Sequence, residues 1–275
     1  MYRLLKIALF GAAVSLPGVP ATAQSIVSTG QSFVTGRIIP GYVASSGARL
    51  AGLQMVLKPG WKTYWRSPGE AGVPPSFDWS QSRNVASVHV HWPAPTLFES
   101  FGMRTAGYED AVTLPLEIVP IEPAKPMDIT LIADVGVCRE LCVFERMELT
   151  QAVGHGVPTA GKPQIDRALA SVPVPAADAG LTHAVCEITG AGRDRSFAAS
   201  VAFSGPVAQP VVLLEGNENL WVSGDRSVQL HGEIRVTATV TLPDGVSWID
   251  RSAIRMTVLA DGFAADVQGC KAPTG

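Results

Sequence analysis

Two of the four cysteines, Cys138 and Cys142, stand four residues apart in Val137-Cys138-Arg139-Glu140-Leu141-Cys142-Val143. Such a pair has two chemical readings, a redox-active dithiol/disulfide or a structural staple. The residues around it, 128–133 and 146–153, both read as strands. Inside one continuous strand, positions i and i+4 lie roughly 13 Å apart at about 3.3 Å per residue. A disulfide needs Cα atoms within about 4.4–6.8 Å. A bond between Cys138 and Cys142 therefore requires a turn, and the simplest one is a hairpin with Arg139-Glu140-Leu141 as its loop. Closing so small a ring stabilises by about 2 kcal/mol on the chain-entropy estimate, against about 4.5 kcal/mol for a ring from Cys186 to Cys270. Tight, exposed bridges are the reducible ones. Spacing alone weighs the two readings equally.

Exchange chemistry needs a thiolate, which nearby positive charge or hydrogen bonds stabilise. Arg139 adjoins Cys138 and is the candidate cation. Glu140 and Glu145 act the other way, raising a thiol pKa or accepting its proton. Arg139 and Glu140 read equally as a solvated loop pair. The aromatic set from Trp61 to Trp65 is mostly core, with Tyr64 a candidate for the pocket wall. His89 and His91 share a strand face at a metal-binding spacing, but two ligands make an incomplete site. No metal and no cofactor are expected. Hydrolase triads, phosphate loops and nucleotide fingerprints have no counterpart in the chain.

The elements that position these residues follow from the rest of the sequence. A basic start, Met1-Tyr2-Arg3-Leu4-Leu5-Lys6, precedes an apolar run over 7–16 and the small-residue site Ala21-Thr22-Ala23. Residues 1–23 thus read as a secretory signal peptide cleaved after Ala23. No run is long enough to span a bilayer, so an exported mature chain without a membrane span is expected. Without Arg3 and Lys6, 19 basic residues face 24 acidic ones, and a net charge of −5 argues against nucleic acid as a partner. An oxidising compartment permits disulfides, and pairing Cys138 with Cys142 and Cys186 with Cys270 fits the domain division. Many turn residues, 27 Gly and 21 Pro, point to β structure. Residues 24–153 read as one β domain, in which 96–105 is a loop carrying Phe98 and Phe101. Residues 154–176 read as a linker whose one helix covers 164–170, closed by 172–175. Short strands return over 177–275, and a structural Cys186–Cys270 bridge ties the ends of that second sandwich.

Several motifs occur together: Trp61-Lys62-Thr63-Tyr64-Trp65-Arg66-Ser67-Pro68-Gly69, Gly72-Val73-Pro74-Pro75, Phe77-Asp78-Trp79, Trp92-Pro93-Ala94-Pro95, Gly107-Tyr108, Leu114-Pro115-Leu116 and the C-x3-C pair. In combination they resemble the periplasmic N-terminal domain of DsbD-like thiol:disulfide interchange proteins, nearest the ScsB copper-sensitivity branch. The resemblance covers roughly 30–150 well and the second domain loosely. It implies an all-β chain of two immunoglobulin-like β-sandwich domains joined by a short linker with one helix. It also implies that Cys138 and Cys142 form the redox-active centre of a periplasmic protein-disulfide reductase relay, with Cys142 the cysteine joined to partners. A cap loop shields the pair in this family. Here that loop would be 98–102, with Phe98 or Phe101 over the disulfide and Glu99 the acidic group beside it.

Three departures qualify the match. The best-known members space their cysteines further apart. The ScsB-like branch often has Pro two residues after the second cysteine, where this chain has Phe144. The sequence ends at Gly275 without a membrane or thioredoxin-like domain. The expected partners are therefore a separate membrane electron donor and periplasmic thioredoxin-like proteins. Two other readings stand beside the relay. One is a non-enzymatic binding module with structural disulfides that docks a partner through the aromatic loop at 98–101. The other is Cu(I) handling in copper tolerance, since paired thiolates suit Cu(I).

Overall fold

The structure, a computed structural model, describes residues 32–69, 71–100, 102–153, 160–216 and 220–273. The signal peptide read at 1–23 and the ring candidate Phe101 lie outside these residues. Two β-sandwiches follow one another along the chain.

Alternation builds the first. In β9 (Met127–Cys138), Met127, Ile129, Leu131, Ala133, Val135 and Val137 are all buried, the period-2 pattern of a strand with one face on a core. These side chains pack with Leu53 and Met55 of β2 (Arg49–Leu57), Leu114, Leu116 and Ile118 of β8 (Ala111–Pro120), and the fully buried Trp65 of β3 (Lys62–Gly69). The remaining strands are β1 (Val34–Val43), β4 (Ser76–Asp78), β5 (Val85–Val90), β6 (Thr96–Ser100), β7 (Met103–Glu109) and β10 (Cys142–Val153). One sheet has the order β1–β2–β8–β5, and the other β10–β9–β3–β7–β6 with β4 also on β9. Every pairing in both is antiparallel.

The segment 96–105, read as a loop, is instead a hairpin of β6 and β7, in register from Thr96↔Gly107 to Ser100↔Met103. Thr105 and Ala106 are buried, and the ladder pairing outweighs the polar, Gly-containing composition that suggests a loop. In sequence Gly107-Tyr108-Glu109-Asp110 reads as a turn, but Gly107 to Glu109 continue β7. The turn falls at Asp110, held at φ 56.

Among the described residues the one α-helix, α1 (Lys162–Ala170), starts with Pro163 in its first turn, where a missing N–H is harmless. It lies on the first sandwich. Fully buried Ile165 fits where Gly41 and Gly52 leave room: a Cβ added to them would stand 2.6 and 3.3 Å from its side chain. Tyr42 donates to Asp166 (2.6 Å), Gln164 to Thr113 (2.7 Å), and the Ala94 N–H to the Ser171 carbonyl (2.7 Å). Burial, then Asp166, pushes the Tyr42 phenol up to about 12.

The second sandwich comprises β11 (Val174–Pro175), β12 (Leu181–Thr189), β13 (Asp194–Phe203), β14 (Val211–Glu215), β15 (Trp221–Leu230), β16 (Glu233–Thr241), β17 (Arg255–Ala260) and β18 (Phe263–Gln268). Its sheets run β11–β18–β17–β14 and β12–β13–β16–β15 around Phe197, Val201, Ile234, Val236, Met256 and Val258. Val174 and Pro175, read only as closing the helix, form a short parallel edge on β18. Cys186 in β12 is bonded to Cys270 just after β18. Leu213 and Leu259 reach across and pack with the first core. The fold is thus all-β, two immunoglobulin-like sandwiches joined through one helix.

If the α1 contact carries the packing described, Ile165→Ala lowers unfolding free energy by about 2–5 kcal/mol. Urea unfolding measures it. A loss under about 1 kcal/mol would mean that the helix is only draped on the sheet.

Candidate active site

The ladder between β10 and β9 runs unbroken from Val153↔Met127 to Cys142↔Cys138. Arg139-Glu140-Leu141 close it, with the Arg139 N–H donating to the Leu141 carbonyl at 3.2 Å. The cysteine Cα atoms stand 4.1 Å apart and the sulfurs are bonded. Alternation decides which way they face. Val135 and Val137 point into the core, so Gly136 and Cys138 lie on the outer face of the sheet. Tyr64 and Lys62 lie on that face of β3, since Trp65 takes the core side. Two rows cross the outer face here. One contains Phe144 and Gly136, paired in register, with Tyr64 next and Gly107 opposite Tyr64; the other contains Cys142, Cys138, Lys62 and Glu109.

The two glycines make room for rings. A Cβ on Gly136 would stand 3.2 and 3.3 Å from the Tyr64 ring, and one on Gly107 would stand 3.1 Å from Phe98 Cζ and 2.1 Å from the Thr63 carbonyl oxygen. Tyr64 therefore lies flat over Gly136 and reaches the disulfide. Its hydroxyl is 2.9 Å from Cys138 Sγ and 3.5 Å from Cys142 Sγ, and it also donates to the Ala71 carbonyl at 3.3 Å. Gly72 packs against its other side, where a Cβ would meet Tyr64 Cδ1 at 2.8 Å. Burial pushes the Tyr64 phenol up, so the group stays an O–H donor at neutral pH.

The result is an asymmetric disulfide. Cys138 is 4% exposed, whereas Cys142 is open to solvent at the hairpin tip. Leu141 and Phe144 flank Cys142 and are 69% and 74% exposed, an apolar rim around the exposed sulfur.

The other sequence candidates fall as follows. Phe98 is half-buried, with its ring 4.2 Å from Lys62 Nζ, and Lys62 is the register neighbour of Cys138. Glu99 is exposed and stands opposite Arg104 in the β6–β7 hairpin. The Arg139 guanidinium turns toward the β2–β3 turn, 5.9 Å from the Trp61 ring centre, and Glu140 is exposed. Glu145 accepts from the Phe33 N–H and the Ser32 hydroxyl. His89 and His91 meet edge to face at 4.7 Å, and His91 Nε2 is 3.1 Å from Glu117 Oε2. Among the described residues no cluster of three His, Cys, Asp or Glu is set to hold a metal ion.

Sequence reasoning passed over Lys62 and the 71–73 segment. Lys62 is the cation held between Phe98 and Glu109 (3.1 Å) beside Cys138. Its signal was its place two residues before Tyr64, on the same strand face. The Gly72-Val73-Pro74-Pro75 motif was visible, but not that it packs on Tyr64.

Residues 35–153, nearly the whole first sandwich with its cysteine hairpin, match the family described as thiol:disulfide interchange protein DsbD, N-terminal. The first sandwich is therefore similar to the DsbD N-terminal domain, the resemblance its motifs carry. More particularly, the chain is similar to the N-terminal periplasmic domain of ScsB from Proteus mirabilis, known from a crystal structure. The TM-score is 0.72 and the identity 24%, over 90% of this chain and 98% of that chain, which shows a shared two-sandwich fold. Among curated protein sequences none matches significantly.

The two bridges close rings of very different size, with sequence separations of 4 and 84. Replacing Cys186 and Cys270 by Ser lowers unfolding free energy by about 4.5 kcal/mol, and replacing Cys138 and Cys142 by about 2 kcal/mol. Urea unfolding of the two double variants checks the ranking; equal losses would make the small bridge a staple.

Proposed function

We propose that this protein exchanges thiols and disulfides in the periplasm, passing electrons to partner proteins through Cys138 and Cys142. The observation that carries the reading is the asymmetry of the disulfide, with Cys142 exposed and Cys138 covered by Tyr64. The family match over 35–153 supports the exchange chemistry, and the leader-like N-terminus supports export. Among the described residues no helix is long and apolar enough to cross a membrane.

In the first step a donor thiolate attacks Cys142 Sγ. A donor–Cys142 bond forms, the Cys138–Cys142 bond breaks, and Cys138 leaves as a thiolate. The Tyr64 hydroxyl, 2.9 Å away, turns its one proton from the Ala71 carbonyl to that developing charge. The donor's second thiolate then attacks the donor sulfur of the mixed disulfide and releases Cys142. Two electrons have entered this chain, and the donor is left as a disulfide. Toward an acceptor the steps reverse: Cys142 attacks the acceptor disulfide, and Cys138 attacks Cys142 to release the reduced acceptor.

With oxidised thioredoxin as the probe, the Cys142 thiolate of Cys138→Ser attacks the thioredoxin disulfide and accumulates a mixed disulfide that no Cys138 resolves, and Cys142→Ser accumulates none. In the unmodified chain the pair reduces at about −180 to −270 mV in glutathione buffers, the range of exchange proteins. A potential below about −300 mV, that of structural bridges, overturns the reading.

Tyr64→Phe removes the donor but keeps the ring. It raises the pKa of the Cys138 thiol by about 1–2, the worth of one hydrogen bond to a charged group. The thiolate's ultraviolet absorbance against pH reports it, and an unchanged value would relieve Tyr64 of this role.

A further inference from the structure

The second sandwich grips the strands that carry the site at two places. Arg66 lies two residues beyond Tyr64 on the same face of β3. Its Nε and Nη2 donate to Glu215 Oε2 and Oε1, each at 2.9 Å. Thr257 accepts from the same Nη2 at 3.1 Å and donates to Glu215 Oε1 at 2.9 Å. Glu215 and Thr257 are buried. The other grip is on the β6–β7 hairpin. Arg104 Nη2 donates to the Asp225 carbonyl at 2.9 Å and to its Oδ2 at 2.8 Å. Asp225 sits where the register of β15 against β16 slips between Ser223 and Arg226, beside Gly224 at φ 63. Such a bulge re-aims a side chain, and here Asp225 meets the hairpin.

The two contacts differ in kind. The Arg66 and Glu215 side chains are 14% and 9% exposed, and removing either would strand the other charge largely away from water, so this contact is a fixed joint. The Arg104 and Asp225 side chains keep 35% and 19% of their surface exposed, and an ion pair of this kind is weak and salt-sensitive. The hairpin it holds carries Phe98, whose ring rests on Lys62, the neighbour of Cys138.

We propose that the second sandwich is a brace that keeps the β6–β7 hairpin closed beside the disulfide, with Arg104–Asp225 as its releasable contact. The proposal rests on reading Cys138–Cys142 as an exchange site and the hairpin as part of its cover. Arg104 and Asp225 are positioning residues in it. Release lets the Phe98 end of the hairpin move off Lys62 and uncovers the buried Cys138 sulfur beside the already exposed Cys142, while the Arg66 joint keeps the two sandwiches together.

The test uses the mature chain and dithiothreitol as the reductant. The reduction rate of Cys138–Cys142 is followed by alkylation and mass spectrometry. Asp225→Ala raises that rate about two- to fivefold, the span a partly exposed ion pair supports. The thermal midpoint and the Cys186–Cys270 bridge stay unchanged. Added salt accelerates the unmodified chain but not Asp225→Ala. Arg104→Asp combined with Asp225→Arg returns the rate toward that of the unmodified chain. An unchanged rate in Asp225→Ala, or equal salt effects in both chains, overturns the brace. A small thiol suffices for this readout, so the relay fails separately: a disulfide that ignores thioredoxin but still responds to Asp225 keeps the brace and loses the relay.

Discussion

Tyr64 reaches the sulfurs only because nothing projects from the strand beside it. The outer face of a two-layer sandwich normally faces water, and a cysteine there would be exposed. Gly136 lets the Tyr64 ring lie on the backbone of β9, Gly107 does the same for Phe98 over β7, and Gly72 closes on Tyr64 from above. These bare positions turn part of a wet surface into a small dry patch. One sulfur lies inside that patch and the other, four residues later, lies outside it. A phenol kept protonated by its burial is the polar group at that boundary.

The second sandwich matters because β3 is shared ground. Trp65 fills the first core, Tyr64 covers the cysteine, and Arg66 is bound by Glu215 and Thr257. Three consecutive residues thus serve the core, the site and the domain junction. A change at one is felt at the others through a rigid strand, since close-packed interiors transmit small displacements.

The hairpin around the cysteines was legible because disulfide geometry and strand rise leave little choice at a spacing of four. The long Cys186–Cys270 bridge and the helix after Pro163 were legible for similarly local reasons. The segment 96–105 was not, because its polar residues and glycine carry turn signals while its strand character comes from pairing with β3 through β7. Arg139 was the obvious cation by adjacency, yet its side chain takes the Trp61 ring. Lys62, distant in sequence, stands beside Cys138 because antiparallel register places it there. The motif resemblance found the family of the first domain, but no motif encodes Arg104 meeting Asp225 across 121 residues.

The helix between the sandwiches raises a question of where a domain physically stops. Its residues come after the last strand of the first sandwich, yet Ile165 plugs that sandwich's glycine-floored groove. A fragment ending at Val153 would leave Tyr42 without Asp166, Thr113 without Gln164 and the Ala94 N–H without Ser171. The covalent edge and the packing edge of the first sandwich lie about a helix apart, and anyone excising it should cut at the second.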